Sequence, residues 1–459
     1  MSGPRVRTPS WFTLSAAFLV IIGLVVVVAL RQPKSWNVIL ITVDTLRADH
    51  LGAYGYARNT SPNLDQLARQ SILFRQAYAH APETVPSLGS LMTSYYPHET
   101  KLYSNENVLA DEAVTLAELL RDAGYVTGAI VGNGVLVRGG GLEQGFQEYD
   151  DHMDDKVSMG LERKAPAVTH AAIAWLERRH GEKFFLWIHY MDPHGPYIAP
   201  PPYDTMFVDP AKDGKKRIPL NEARTGRGGI PDYQQLGDHR EVDYYIAQYD
   251  GEIRYLDHWL GELLAVVRRL ELLDNTVIVF TADHGEGMGE HDYYFAHNEF
   301  LYEGLIHVPF LLRLPGASSG GKDVAIPVAQ ADILPTTLGL LSLHAPRPVN
   351  GKALTEPYQA GTVYAESFAM GPKQALIKNR LKLITQEDGY ELFDLEHDPA
   401  ETANVVSGDM SPTEMAQANV LREELARLGR LDLLALGPPI SRRGDRAFEG
   451  KLRSLGYVQ

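Results

Sequence analysis

Short, nearly continuous apolar runs recur along the chain and alternate with segments of helical periodicity. The first run, NVILITV at residues 37–43, has the length of a strand that is buried on both faces. Similar runs lie at residues 125–131, 184–189, 276–281 and 308–312. Because helical segments separate these runs, the pattern predicts an α/β fold with a large, mostly parallel sheet flanked by helices.

Capping residues mark the ends of several predicted helices. Ser61 before Pro62 predicts a capping hydroxyl ahead of a first-turn proline, and Thr115 with Glu118 predicts a capping box. Apolar residues at helical spacing predict a long helix over residues 241–269. These helices fit between the predicted strands, as an α/β fold requires.

The pattern changes after residue 351, where short strands are separated by turn residues. The predicted strands span residues 362–366, 374–378 and 382–385, and a helix follows at residues 413–428. This spacing predicts a small C-terminal subdomain with an antiparallel sheet. The chain is therefore predicted to comprise an anchor and linker at residues 1–35, a main domain at 36–345, an α+β subdomain at 346–430 and a tail at 431–459.

An uncharged, mostly apolar segment covers residues 11–30. Its length matches that of a helix that crosses a bilayer once. The segment predicts a single-pass membrane anchor, with the main domain outside the cytoplasm. The alternative is a signal peptide that is cleaved near Ala29, which would give a secreted protein.

The charge and composition of the chain exclude several classes of function. The formal net charge of −15 argues against general binding to nucleic acid, because phosphate contacts need clustered Lys and Arg. An anionic ligand must therefore be attracted by local charge. The chain contains no cysteine, which excludes disulfides, thiolate metal sites and cysteine nucleophiles.

Polar residues cluster where the predicted strands end, and parallel α/β sheets bind their ligands at that edge. Asp44 follows the first strand, and Asp283 and His284 follow a later one. Two carboxylates and an imidazole form a ligand set suited to a divalent cation. The alternative is that Asp283 and His284 only organise the glycine-rich turn at residues 285–289. The strand at residues 184–189 also leads into polar residues, namely His189, Asp192 and His194.

A loop that contains Thr84 leads into a predicted short helix after Pro86. The Thr84 hydroxyl would then face the N–H groups and the positive dipole end of that helix, and both stabilise an alkoxide. Coordination to a cation would lower the pKa of the hydroxyl further. Taken alone, Thr84 has the alternative interpretation of a helix N-cap.

Six segments occur in the order in which the sulfatase family carries its motifs, and the chain resembles that family over roughly residues 37–404. The family belongs to the alkaline phosphatase superfamily. The segments are DTLRADHLGAYG at residues 44–55, TVPSLGSLMT at 84–93, YMDPH at 190–194, TADHGE at 281–286, YEGLIHVP at 302–309 and LFDLEHDP at 392–399.

The resemblance implies a metal site and a nucleophile. Asp44, Asp283 and His284 match positions that bind one divalent cation, and Thr84 matches the nucleophile, which also contacts the metal. By family the cation would be Ca²⁺, with Mn²⁺, Mg²⁺ and Zn²⁺ as alternatives. The implied substrate is an anionic ester of a small molecule, a glycan or a lipid headgroup.

The resemblance also implies residues that contact the substrate. His194 and His297 match positions whose side chains hold the anionic oxygens, and they are the predicted catalytic histidines. His291 is predicted to lie near them. Asn133 stands in the segment VGNG where the family commonly has Gly-Lys-Trp-His, so its amide is predicted to bind the substrate in place of charged donors.

Two departures from the family bear on the chemistry. Typical sulfatases have Cys or Ser at the position of Thr84, oxidised to formylglycine, and Arg at the position of Leu88. No formylglycine is expected here, because the methyl group of threonine would leave a ketone. Family members with threonine resemble transferases and phosphodiesterases whose threonine becomes phosphorylated, which modestly favours phosphate esters over sulfate esters.

The sequence therefore predicts a metal-dependent hydrolase of sulfate or phosphate esters that uses Thr84 as its nucleophile. One alternative is a transferase of the phosphoethanolamine or phosphoglycerol type. Another is a catalytically silent, membrane-tethered relative that binds an anion, because Leu88 and Asn133 replace expected cationic residues.

Overall fold

The computed structural model describes residues 36–153, 162–209, 216–221, 225–354, 357–358, 361–387, 389–408, 410–442, 444–445 and 448–450. The predicted membrane segment at residues 11–30 lies outside this part of the chain. Within the described ranges, no helix combines the length and the apolar character needed to cross a bilayer.

An eight-stranded sheet forms the centre of the main domain. Its strands in chain order are β1 (Asn37–Val43), β2 (Ile72–Tyr78), β3 (Val126–Val131), β4 (Glu148–Asp150), β5 (Phe184–Tyr190), β6 (Thr276–Ala282), β7 (His307–Arg313) and β8 (Lys322–Ala329). They lie side by side in the order β8-β2-β7-β6-β1-β5-β3-β4. Strand β7 is antiparallel to both of its neighbours, and the other neighbouring pairs are parallel. The predicted large, mostly parallel sheet is confirmed.

The central strands are apolar because both of their faces are covered. Every residue of β1, β5 and β6 is buried. Parallel pairing places Val43 beside Tyr190 and Ala282, so these three strands end at the same edge. The residues that follow them are therefore brought together at the carboxyl edge of the sheet.

Helices flank the sheet in two packed groups. The longer helices are α1 (Pro62–Ala68), α2 (Thr84–Thr93), α3 (Leu116–Asp122), α4 (Ala165–Arg179), α5 (Val242–Arg269), α6 (Ile333–Leu340) and α7 (Pro412–Leu428). Helix α4 packs on β3, β5 and α5, and α1 also packs on α5. Helix α2 packs on α3 and α6. The long helix predicted over residues 241–269 is present as α5.

The predicted caps meet different outcomes. The Thr115 side chain accepts a hydrogen bond from the Glu118 N–H at 3.2 Å, so this capping box is confirmed. The predicted Ser61 cap is wrong, because its hydroxyl donates to Asp65 instead of accepting from the helix. Asp257 on α5 accepts the first N–H groups of α1 in its place. A carboxylate from a distant helix thus caps α1, and no local pattern encodes it.

A second, antiparallel sheet follows the main domain. Its strands are β9 (Thr362–Ser367), β10 (Lys373–Lys378), β11 (Leu381–Gln386) and β12 (Gly389–Asp394), in chain order. Helix α7 packs on β10 and β11 and covers a small core that includes Tyr364, Leu376 and Leu421. The predicted small antiparallel sheet is confirmed, with β12 as a strand that the sequence pattern does not predict.

Candidate active site

Three predicted metal ligands meet at the carboxyl edge of the sheet. Asp44 follows β1, Asp283 and His284 follow β6, and all three side chains are fully buried. One donor atom from each lies within 4.8 Å of the others. His284 Nε2 is 3.8 Å from Asp44 Oδ1 and 3.6 Å from Asp283 Oδ2. The structure therefore brings together side chains that are 239 and 240 positions apart in the sequence.

The donor atoms of this group fit a cation. Asp44 Oδ1 and Asp283 Oδ2 are buried and have no hydrogen-bond partner among the described residues. His284 Nδ1 lies 2.9 Å from the carbonyl oxygen of Gly285, which can only accept, so Nδ1 carries the proton and Nε2 presents a lone pair. Two unpartnered carboxylate oxygens and one basic nitrogen thus face the same point, which is the donor set of a divalent cation.

The charge of the two carboxylates supports this assignment. Burial and the neighbouring Asp44 raise the pKa of Asp283 well above its ordinary value. Burial also acts to raise the pKa of Asp44, but the hydrogen bond from His189 and the nearby His194 and His284 hold it below its ordinary range. Two adjacent buried carboxylates both ionise readily only when a positive charge lies between them.

Asp44 is held from behind by side chains on β5 and on the loop after β3. Asn133 Nδ2 donates to Asp44 Oδ2 at 2.5 Å, and its Oδ1 accepts from the N–H of Val135. His189 Nε2 is 3.4 Å from the same carboxylate oxygen. Both ends of the Asn133 amide therefore bind groups of the protein, and its Nδ2 contacts a predicted metal ligand.

Thr84 is the first residue of α2, and the helix begins two residues before Pro86 rather than after it. Glu83 occupies the N-cap position, so Thr84 is not the cap itself. The Thr84 hydroxyl is fully buried, and its Oγ1 lies 3.5 Å from His284 Nε2. Ser87, one turn along the helix, donates to the backbone oxygen of Asp283 at 2.5 Å and fixes α2 against the ligand loop.

Two further predicted residues, His194 and His297, lie beside the ligand set. The ring centroid of His297 lies 5.1 Å from that of His194 and 4.6 Å from that of His284. Burial and the neighbouring His194 lower the pKa of His297 to about 3, so it is neutral at pH 7. His297 Nδ1 lies 3.2 Å from Glu286 Oε1, and burial raises the pKa of that carboxyl to about 7.

His291 and Leu88 lie apart from this group. The His291 ring stacks on Tyr302 at a centroid distance of 3.6 Å. Both side chains line a cavity of about 440 Å³ whose walls include Arg47 and Glu401, but none of the metal-ligand set. Leu88 is fully buried in the main hydrophobic core. The structure thus brings Asp44, Thr84, His194, Asp283, His284 and His297 together and places His291 elsewhere.

Several polar residues of the site were not predicted. The Asn105 Oδ1 atom accepts from the N–H of Val85 at 2.8 Å, and its buried Nδ2 has no hydrogen-bond partner among the described residues. Thr45 Oγ1 is likewise buried without one. Glu286 stands in the segment TADHGE, so its position in that motif was an available signal. Asn105 lies in no segment of this kind and could be found only from the fold.

Comparisons with known proteins agree with this geometry. A model of the sulfatase family matches residues 36–343, and a model described as the C-terminal part of N-sulphoglucosamine sulphohydrolase matches residues 289–430. The chain is 26% identical over 442 residues to an arylsulfatase of Clostridium perfringens, covering 81% of this chain and 90% of that one. It is 28% identical over 453 residues to a choline-sulfatase of Rhizobium meliloti, covering 84% and 85%.

Solved structures share the fold. A phosphonate monoester hydrolase of Agrobacterium radiobacter superposes with a TM-score of 0.69 at 23% identity, covering 90% of this chain and 100% of that one. The matches to sulfatases over most of the chain define an ester hydrolase, and the sheet carries a cation-type ligand set at its carboxyl edge. The family match over residues 36–343 shows further that the chain belongs to the sulfatase family.

Proposed function

We propose that the protein hydrolyses phosphate or sulfate esters with Thr84 as the nucleophile. In the first step, a bond forms between Thr84 Oγ and the phosphorus or sulfur atom, and the bond to the ester oxygen breaks. The hydroxyl proton leaves Thr84, and the departing alkoxide or phenoxide is protonated in turn. Water then attacks the threonine ester and regenerates the hydroxyl.

The position of the Thr84 hydroxyl is the observation that carries this proposal. Its Oγ1 lies 3.5 Å from the lone pair of His284 Nε2, next to the two unpartnered oxygens of Asp44 and Asp283. A divalent cation held by these groups would lower the pKa of the hydroxyl and offset charge on the ester. As the first residue of α2, Thr84 also stands at the positive end of a helix.

His194 and His297 are proposed to bind the anionic oxygens of the ester. A bound dianion favours the imidazolium form of a nearby histidine, although burial holds the pKa of His297 low in its absence. Glu286 lies behind His297 and would stabilise that charge. The two histidines therefore supply the local positive charge that a chain with a net charge of −15 needs in order to hold an anion.

Phosphorus is the proposed centre of attack in preference to sulfur. Threonine cannot form the aldehyde hydrate through which formylglycine expels sulfate. The intermediate must then be released by attack of water at phosphorus or sulfur itself. A phosphothreonine ester is the adduct that matches this chemistry, although relatives of this chain include an arylsulfatase and a choline-sulfatase.

The experiment compares Thr84→Ala with wild type on aryl phosphate, phosphodiester and aryl sulfate substrates, each with Ca²⁺, Mn²⁺, Mg²⁺ or Zn²⁺. Thr93→Ala is the matched control, because its buried hydroxyl on the same helix donates to the carbonyl oxygen of Gly89 and accepts from the N–H of Tyr95, and neither is a predicted metal ligand. Loss of turnover in Thr84→Ala alone is expected. Equal turnover in Thr84→Ala and wild type would refute the proposal.

Mass spectrometry of the quenched wild-type protein distinguishes the two centres of attack. A phosphoryl adduct on Thr84 would support attack at phosphorus. A sulfuryl adduct would show instead that the enzyme attacks sulfur. An acceptor alcohol that increases product formation would indicate the alternative of a transferase. Stoichiometric cation without turnover of any ester would indicate a silent relative that binds an anion.

We also propose that the segment at residues 11–30 tethers the protein to a membrane, with the catalytic domain outside the cytoplasm. Its uncharged, apolar composition supports this proposal. Fractionation of cells that express the full chain, with a protease-accessibility assay, tests it. Recovery of the intact chain in the cytoplasmic fraction would contradict it.

A further inference from the structure

A buried cluster of charged side chains lies behind the loop that carries His194. Asp192 follows β5, Glu162 and Lys164 precede α4, and Glu252 lies on α5. The three carboxyl residues are each no more than 2% exposed. Three buried carboxyl groups thus lie around one lysine, whose side chain is 26% exposed, away from the predicted metal ligands.

Two contacts anchor Asp192 in this cluster. Its Oδ2 accepts a hydrogen bond from the N–H of Ala165, the first residue of α4, at 2.8 Å. Its Oδ1 lies 3.9 Å from Lys164 Nζ. The N–H of His194 donates to the carbonyl oxygen of Met191, so Asp192 lies within a tight turn of the chain. A fixed Asp192 therefore fixes the backbone from which the His194 ring projects.

The same cluster is joined to the loop that carries Asn133. Lys164 Nζ lies 3.0 Å from Glu162 Oε2, and Glu162 forms a β-bridge with Asn133. The neighbouring Arg163 N–H donates to the carbonyl oxygen of Gly132 at 2.9 Å. Because Asn133 donates to Asp44, the short segment at residues 162–164 connects a proposed substrate histidine with the support of a metal ligand.

Glu252 is the unusual member of the cluster. Neither of its carboxyl oxygens has a hydrogen-bond partner among the described residues. Burial raises the pKa of Glu252 to about 8, Lys164 acts against this rise, and Asp192 and Glu162 add to it. Tyr255, one turn further along α5, also faces Asp192, Glu252 and Lys164. With Glu252 uncharged the cluster carries one excess negative charge, and ionisation of Glu252 would add a second.

We propose that Asp192, Glu162, Lys164 and Glu252 form a positioning network that holds His194 and Asn133 in register with Asp44, and that the network operates with Glu252 uncharged. This inference rests on the proposed function, because it assigns His194 to anion binding. Asp192 is a positioning residue that acts through His194. Ionisation of Glu252 above neutral pH repels Asp192 and Glu162 and loosens the His194 loop.

The first test measures binding of inorganic phosphate and of inorganic sulfate by calorimetry to the Ca²⁺-loaded full chain. Asp192→Asn keeps an acceptor for Ala165 but loses its charge, and we expect about a tenfold loss of anion affinity, as for other supporting partners of functional ligands. In the double variant with His194→Ala, the Asp192 substitution should add no further loss. Additive losses, or unchanged affinity in Asp192→Asn, would overturn the network.

A second variant, Glu252→Gln, tests the network even if Asp192→Asn does not fold. Glu252→Gln retains the shape of the side chain and cannot ionise, so its affinity at pH 7 should equal that of wild type. From pH 7 to pH 9, wild type should lose anion affinity relative to Glu252→Gln. A constant ratio over this range would contradict the role of Glu252. Asp257→Asn is the control, because this buried carboxylate on α5 caps α1 and does not contact the His194 loop.

The binding measurement separates failure of the network from failure of the proposed function. Unchanged turnover in Thr84→Ala would refute the nucleophile and leave the anion-affinity comparison valid. Unchanged anion affinity in Asp192→Asn, with turnover lost in Thr84→Ala, would refute the network alone. Absence of measurable binding of either anion to wild type would overturn both assignments for His194.

Discussion

Two clusters of buried carboxylates in this protein differ in how their charge is balanced. At the junction of the two sheets, Lys382 Nζ lies 2.9 Å from Glu303 Oε1 and 2.8 Å from Glu401 Oε1. Glu401 Oε2 also accepts the N–H of Glu303 at 2.6 Å. At the carboxyl edge of the main sheet, Asp44 and Asp283 each keep one buried oxygen without a hydrogen-bond partner among the described residues.

This difference separates a structural cluster from a functional one. A buried carboxylate needs a compensating charge or hydrogen bonds, because isolated burial of its charge is very costly. Lys382 supplies that charge from within the chain, because it pairs with both Glu303 and Glu401. Among the described residues, neither Asp44 nor Asp283 pairs with a lysine or arginine, and their unpartnered oxygens converge with His284 Nε2. A bound cation would complete this cluster, and for that reason we propose it as the metal site.

We call the group of Asp44, Asp283 and His284 the open cluster. The largest expected effect is on turnover when a predicted metal ligand of the open cluster is changed. Asp44→Asn should lower kcat/KM by at least about 10³-fold, because a lost cation removes several kcal/mol of charge stabilisation. Its melting temperature in chelator should also fall, because the folded state holds the pKa of Asp44 below its ordinary range and the charge of Asp44 therefore stabilises the fold at neutral pH. Steady-state kinetics, elemental analysis and calorimetry test this prediction. A loss smaller than tenfold with normal metal content would mean that Asp44 is not a ligand.

We call the group of Lys382, Glu303 and Glu401 the closed cluster. A substitution in the closed cluster should lower the stability of the protein whether or not a metal ion is bound. Lys382→Met leaves the buried Glu401 and the partly buried Glu303 without their cation and should lower the free energy of unfolding by about 3–5 kcal/mol. Lys378→Met on the adjacent strand β10 is the control, because the Lys378 pair with Glu424 is partly exposed and should contribute less than about 1 kcal/mol. Denaturant unfolding in chelator measures both. Equal losses would remove the distinction between the two clusters.

Metal linkage provides a more moderate test of the open cluster. A cation at a concentration of 100 Kd should stabilise wild type by about 2.7 kcal/mol. Asp283→Asn should abolish this gain. In chelator the same variant should be at least as stable as wild type, because it removes the burial and repulsion that raise the pKa of Asp283. Thermal unfolding with and without Ca²⁺ gives both results. A gain that persists in Asp283→Asn would place the cation elsewhere.

Local patterns predicted those parts of the molecule that depend on neighbouring residues. The central strands were predicted because they are apolar on both faces, and the ligands were predicted because they follow those strands directly. Strands β2 and β8 were not predicted, because neither is apolar along its whole length. Strand β2 contains partly exposed Arg75 and Gln76, and β8 is an edge strand whose register shifts before Pro327.

Contacts between distant segments could not be predicted in this way. Asn133 donates to a carboxylate 89 positions away, and Asp257 caps a helix 194 positions away. Neither contact leaves a periodic or local signal, because an amide or a carboxylate at those positions is equally consistent with a surface turn or a helix face. The resemblance to the family implied the role of His297, but the stacking of His291 on Tyr302 depends on the packing of the loop that carries His291.

The cluster around Glu252 lies between the two extremes, with one lysine for three carboxyl groups, and it should show the smallest effect. The pKa of Glu252 rises from an ordinary 4.5 to about 8 on folding, so the folded state binds a proton more tightly than the unfolded state. Wild-type stability should therefore fall as the pH rises from 4.5 to about 8 and then level off. Glu252→Gln lacks this loss, and its advantage in the free energy of unfolding should grow steadily over that window. Denaturant unfolding at a series of pH values measures it. If the difference in the free energy of unfolding between Glu252→Gln and wild type does not depend on pH, Glu252 is ionised throughout this range. Its cluster would then resemble the closed cluster, in which the carboxylates are charged.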